Sequence, residues 1–136
     1  MEHAYIGIFG YITWMIILFV LMFYVRVKAI NEGLSFRKIT HTNEHISDFA
    51  YRVSRAHANC CENFPILVAV IFIAAMTNTL FVVNQLVYLF LAARIAQSCA
   101  HLSSGRKRVT LIRGIFFLVQ ICLIIYWMAS IWVNAS

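Results

Sequence analysis

The chain has 136 residues, of which 62% are hydrophobic and only 12% charged, whereas soluble domains run nearer ~45–50% apolar and ~25% charged. A domain this small cannot bury that much apolar surface by itself, which excludes an ordinary soluble domain, a disordered chain and a disulfide-stapled module. The net charge of +6 does not point to nucleic acid, because the basic residues gather in two stretches. Arg26, Lys28, Arg37, Lys38, Arg52 and Arg55 lie in or beside residues 26–55, and Arg106, Lys107, Arg108 and Arg113 in or beside residues 103–113. Basic loops stay cytoplasmic. The expectation is an integral, multi-pass membrane protein, in a bacterial inner membrane or the endoplasmic reticulum, with its basic loops cytoplasmic. That face also favours anionic membrane lipid or an anionic cytosolic ligand.

In chain order, Tyr5–Val25 is a 21-residue run without a charge, long enough to cross a bilayer. It lacks a basic leader, and Arg26 and Lys28 follow it as a stop-transfer signal. The loop from about Ile30 to Asp48 is the longest polar stretch and is expected on the membrane surface. Ser47 with Asp48 reads as a helix cap. Phe64–Met76 gives only 13 uncharged residues and Leu80–Ala93 only 14, too few to cross. The second span must therefore extend back through Asn59, Arg55 and Arg52, and the third forward through Arg94, Gln97 and His101. Gly114–Val133 is a further 20-residue run, with Trp127 and Trp132 near its end, where interfacial aromatics belong. The predicted fold is all-α, a four-helix antiparallel bundle of one domain over 1–136. Its spans cover about 5–27, 49–77, 80–103 and 110–133, and both termini share one face.

The polar residues of the two middle spans are spaced for one purpose. Arg52, Arg55, Asn59 and Glu62 stand at steps of three, four and three, one helical face. Arg94, Gln97 and His101 form a second such face. Glu62 and Arg94 are the deepest charges and lie at similar depth. Each costs ~2.5–3.5 kcal/mol in a membrane, so a Glu62–Arg94 pair is expected. A pair alone leaves Arg55, Asn59, Gln97 and His101 unexplained. Together they make a polar groove that suits a small peptide-like ligand with carboxylates and an amine. Pro65 removes the helical partner of the Cys61 carbonyl and predicts a kink.

Arg55-Ala-His-Ala-Asn59-Cys-Cys-Glu62-Asn-Phe-Pro65 resembles the helix-2 signature of the MAPEG family, the membrane-associated proteins in eicosanoid and glutathione metabolism. Ala93-Arg94-Ile-Ala-Gln97-Ser-Cys-Ala-His101 resembles its helix-3 motif, and Arg113-Gly114-Ile-Phe-Phe117 the start of its helix 4. The resemblance covers essentially the whole chain and implies a homotrimer that binds glutathione as co-substrate between subunits. Carried over by position, Arg26, Arg55, Asn59, Glu62, Arg94, Gln97 and His101 hold glutathione. Arg113, or as runner-up Arg108, acts catalytically on its sulfur. The implied reaction is conjugation to a lipophilic electrophile or reduction of a lipid hydroperoxide. Gln97 stands where many members have His or Tyr, and His101 where many have Tyr. The family also holds a non-enzymatic lipid-presenting member without an arginine matching Arg55, which this sequence keeps.

Two other readings stand beside this one. One is a non-catalytic lipid-binding or scaffolding protein of the same fold. The other is a small transporter subunit or structural protein using Glu62 and Arg94 only for register. Cys60, Cys61, Cys99 and Cys122 read as small hydrophobes inside spans. His41 and His45 stand four apart as in a zinc helix, but the Glu between them is in the wrong place and the stretch reads as a loop, so no metal site is expected. His57 points off the polar face of its helix.

Overall fold

The computed structural model describes residues 1–135, and every regular element in them is helical. Helix α1 covers His3–Asn31, α2 Asp48–Met76, α3 Leu80–Asn84, α4 Val87–Ser103 and α5 Lys107–Ala135, with a single 3₁₀ turn at Phe36–Lys38. Helices α1, α2 and α5 have 29 residues each and are long and apolar enough to cross a membrane. At 1.5 Å per residue each is about 44 Å long, the thickness of a bilayer with its headgroups. Most of each apolar stretch faces outward, as a surface bathed by lipid requires.

Where the sequence predicts one continuous third span, the structure has α3 and α4 joined by Gln85–Leu86. Leu86 takes φ −124° and ψ 2°, well off helical values, and its N–H bonds tightly back to Val83. The Asn84 side chain is drawn to the start of α1. It accepts from the Ala4 N–H at 2.8 Å and donates to the Glu2 carboxylate, so it caps an end whose first N–H groups have no helical partners. The start of α1 thus lies beside the 77–86 turn, and the end of α5 lies there too, Thr77 and Ala135 lining one groove.

Helix α2 begins where the cap was expected, the Ser47 hydroxyl accepting from the Ala50 N–H at 3.0 Å. It runs through Pro65 without interruption. One turn before the proline, the Tyr11 hydroxyl donates to the Cys60 carbonyl at 2.9 Å. The core is a chain of rings across four helices. Tyr11 lies 5.5 Å from Phe64 and 6.4 Å from Phe90, and Phe90 lies 5.6 Å from Trp127. Trp127 is thus a fully buried core residue rather than an interfacial one, while Trp132 is exposed.

Helices α1 and α4 approach closely at two glycines. A Cβ on Gly7 would collide with the Val87 side chain, and one on Gly10 would come within 2.6 Å of Leu91 Cδ2. Gly114 faces open space. Gly7→Val should therefore cost about 1–3 kcal/mol through overpacking, while Gly114→Ala should be neutral or gain up to ~1 kcal/mol. Thermal unfolding in detergent checks both; equal effects would mean that α1 and α4 are not in this contact.

Candidate functional site

At the end of the bundle opposite the termini, α2, α4, α5 and the 104–106 turn enclose an open cleft of about 470 Å³. Helix α2 supplies Asp48, Tyr51, Arg52 and Arg55, α4 supplies His101, and α5 supplies Arg113, with Gly105 at the rim. Two guanidiniums and one carboxylate on the α2 wall, with a third guanidinium from α5, have the chemistry to meet a small molecule with several acidic groups, since guanidinium matches carboxylate geometry in a bidentate way. Asp48, Tyr51, Arg52 and Arg55 stand at i, i+3, i+4 and i+7 and share one face of α2, and Asp48 extends by one turn the stripe that begins at Arg52 in the sequence reading.

Two of the arginines are held by the bundle itself. Arg52 Nε donates to the Leu102 carbonyl at 3.1 Å, satisfying one of the last carbonyls of α4. Arg113 Nη1 lies 2.9 Å from His101 Nδ1. A guanidinium has no acceptor, so Nδ1 accepts and His101 is neutral with its proton on Nε2. Arg113 Nη2 donates to Thr110 Oγ1 at 2.9 Å. Arg55 is exposed. Arg108 is exposed and does not line the cleft.

Deeper in the bundle the expected Glu62–Arg94 pair is absent, and the reason is angular. Arg94 is fully buried and its Nη1 donates to Asn59 Oδ1, with the guanidinium 5.7 Å from the centre of the Tyr11 ring. Three residues further along α2, Glu62 is turned about 60° around the helix axis and stays exposed. One spacing class thus splits into an inner edge, with Asn59 toward Arg94, and an outer edge, with Arg55 and Glu62 outward. Gln97 is also buried and is taken by a partner the sequence analysis missed. Gln120 Nε2 donates to Gln97 Oε1 at 3.0 Å and to the Phe116 carbonyl at 2.8 Å. The signal was there: Gln120 is a lone amide in an apolar run.

Arg26 stands apart from the cleft. Its Nε donates to Asn43 Oδ1 at 2.8 Å and its Nη2 to the Thr40 and His41 carbonyls at 3.3 and 3.4 Å, so it anchors the first loop. The site residues read from the sequence therefore fall into three groups. Arg55, His101 and Arg113 meet in the cleft; Asn59, Arg94 and Gln97 are engaged inside the bundle; Arg26, Glu62 and Arg108 lie elsewhere on the surface. His57, off the polar face, packs against Phe19 at 5.8 Å between ring centres and near Cys61. All four cysteines are free.

Residues 8–132 match the family model described as the MAPEG family. No curated protein matches the chain.

The Gln97–Gln120 bond makes a thermodynamic prediction. Gln120→Leu strands the buried Gln97 amide and should cost about 1–3 kcal/mol. Gln97→Leu with Gln120→Leu removes both partners and should recover much of that loss. Denaturation in detergent measures it; a double variant as destabilised as the sum of the singles would show that the two amides do not pair.

Proposed function

The chain belongs to the MAPEG family, a membrane protein of glutathione or eicosanoid metabolism, and from that premise we propose that it is a membrane glutathione transferase with glutathione peroxidase activity. The observation that supports this reading best is the cleft built by Arg52, Arg55, His101 and Arg113 with Asp48. Glutathione carries two carboxylates, one ammonium and a thiol. Arg55 and Arg52 match the carboxylates, Asp48 the ammonium, and Arg113 is left for the sulfur. A free thiol has a reference pKa of about 8.5, and the thiolate is the nucleophile. A guanidinium beside the sulfur favours the anion at every accessible pH, because it does not itself deprotonate. In conjugation, the thiol proton passes to solvent, a carbon–sulfur bond forms, and the electrophile's leaving group departs. In peroxide reduction, two glutathiones supply two electrons, leaving an alcohol, water and the disulfide. A lipophilic second substrate reaches the sulfur from the bilayer.

The exposed outer edge of α2 supports the homotrimeric part of the proposal. Glu62 is the midpoint of the 29-residue α2, where an ionised side chain facing lipid is costly. A neighbouring copy covering that edge removes the cost and brings Glu62 and Arg55, both exposed on one copy, into a shared interface. In the same reading the basic loops are cytoplasmic, where glutathione is supplied.

The test is calorimetry with glutathione beside conjugation rates with an aryl halide electrophile. Arg55→Ala should weaken glutathione binding by roughly ten- to a hundredfold, the loss expected for a charge-assisted contact. The aryl halide rate should vanish in Arg113→Ala. Wild-type binding and rate in both variants would overturn the assignment. Lipid binding without glutathione binding in the unsubstituted protein would favour the scaffolding alternative.

A further inference from the structure

The first loop holds a second cleft, of about 450 Å³, lined by Leu34, Arg37, Lys38, Thr40 and His45. Its floor is built rather than loose. Arg26 bonds the Thr40 and His41 carbonyls and Asn43, and the buried Asn43 in turn donates to Ser54 Oγ of α2 at 2.6 Å. Asn43 takes φ +56°, a left-handed conformation that asparagine tolerates, and its N–H bonds back to Thr40 at 3.2 Å. The loop is thereby pinned to both spanning helices, and the side chains on its outer surface are held at fixed places.

Three features of that outer surface have no role in the glutathione cleft. Arg37 and Lys38 have no ion-pair partner among the described residues, where the pairs are Lys28–Glu32 and His45–Glu44. Phe36, next to them on the 3₁₀ turn, is 77% exposed, an expensive place for a large ring in water. The third feature is depth. Helix α1 spans about 44 Å and ends at Asn31, so Leu34 and Phe36 lie just past its end, at headgroup level.

We propose that this cleft binds the phosphate of an anionic phospholipid from the adjoining leaflet, with Arg37, Lys38 and His45 around the phosphate and Phe36 set in the headgroup layer beside it. The cations supply the charge that attracts acidic lipid to a membrane-edge segment, and guanidinium matches phosphate oxygens. The exposed ring is what separates a lipid from a free phosphate, because a soluble anion leaves Phe36 in water. Glu44 lies 3.6 Å from His45, so Arg37 and Lys38 are the cations of the cleft without an ion-pair partner among the described residues.

Native mass spectrometry of the whole protein in detergent, with phosphatidylglycerol and phosphatidylcholine added at equal concentration, tests this. The unsubstituted chain should retain phosphatidylglycerol preferentially. Arg37→Gln with Lys38→Gln should lower that preference roughly thirtyfold, at about one unit of surface attraction per cation lost. Phe36→Ser should weaken retention of the lipid. Arg106→Gln with Lys107→Gln, on the other basic loop, should leave the preference intact. The proposal is overturned if the Arg37/Lys38 variant keeps its preference, if the Arg106/Lys107 variant loses it instead, or if inorganic phosphate at the lipid's concentration displaces the lipid. If the Arg37/Lys38 variant does not fold, raising the salt on the unsubstituted protein decides: a preference that falls with ionic strength supports the site, and a salt-independent one overturns it.

Discussion

The guanidinium of Arg94 has no exposed surface, and the rest of the bundle is arranged around that fact. Placing such a group among apolar helices costs ~2.5–3.5 kcal/mol on insertion scales. Its bond to Asn59 returns about 1.5–3 kcal/mol, and the face of Tyr11 beneath it up to ~2 kcal/mol. The terms balance only while α1, α2 and α4 stay in register. Tyr11 comes from α1, Asn59 from α2 and Arg94 from α4, and the Tyr11 hydroxyl is tied to the Cys60 carbonyl. The buried charge is thus a registry device. Its Nε and Nη2, without hydrogen-bond partners among the described residues, mark it as the place where polar demand inside the bundle is least satisfied.

From this inner lock the outward architecture follows. Because Asn59 is committed inward, Arg55 and Glu62 fall on the outer edge of the same helix, and Arg52, Arg55 and Arg113 meet where α2, α4 and α5 open. The result is a division of labour along one helix: a structural charge contact at depth, and a cleft-lining one nearer its N-terminal end. His101 serves both regions. It sits two turns beyond Arg94 on α4, and it fixes Arg113 over the cleft through Nδ1.

Much of this was legible in the sequence. The clustering of cations gave the two ends of the bundle, and the three-four-three spacing from Arg52 to Glu62 gave the polar face of α2. The helix-2 motif gave the family. The pairing within that face was not legible, because spacing assigns residues to a side of a helix only to within about 60°, the angle that separates Asn59 from Glu62. Hydropathy hid Gln120, since one amide barely alters a strongly apolar run, and placed Trp127 at an interface when packing against Phe90 puts it in the core. The break at Gln85–Leu86 was invisible for a different reason. It depends on Asn84 reaching a helix end some eighty positions away, a tertiary contact that local propensity does not encode.

The central claim is that the guanidinium of Arg113, oriented by His101, stabilises a bound thiolate. The most direct measurement is the ultraviolet difference spectrum of the detergent-purified protein titrated with glutathione near neutral pH, taken for the unsubstituted chain and for Arg113→Ala. The account predicts a saturable thiolate band that is lost in Arg113→Ala while calorimetry still registers bound glutathione. A band of undiminished height in Arg113→Ala would contradict it and move the sulfur-activating role to another cation, with Arg108 the first to examine.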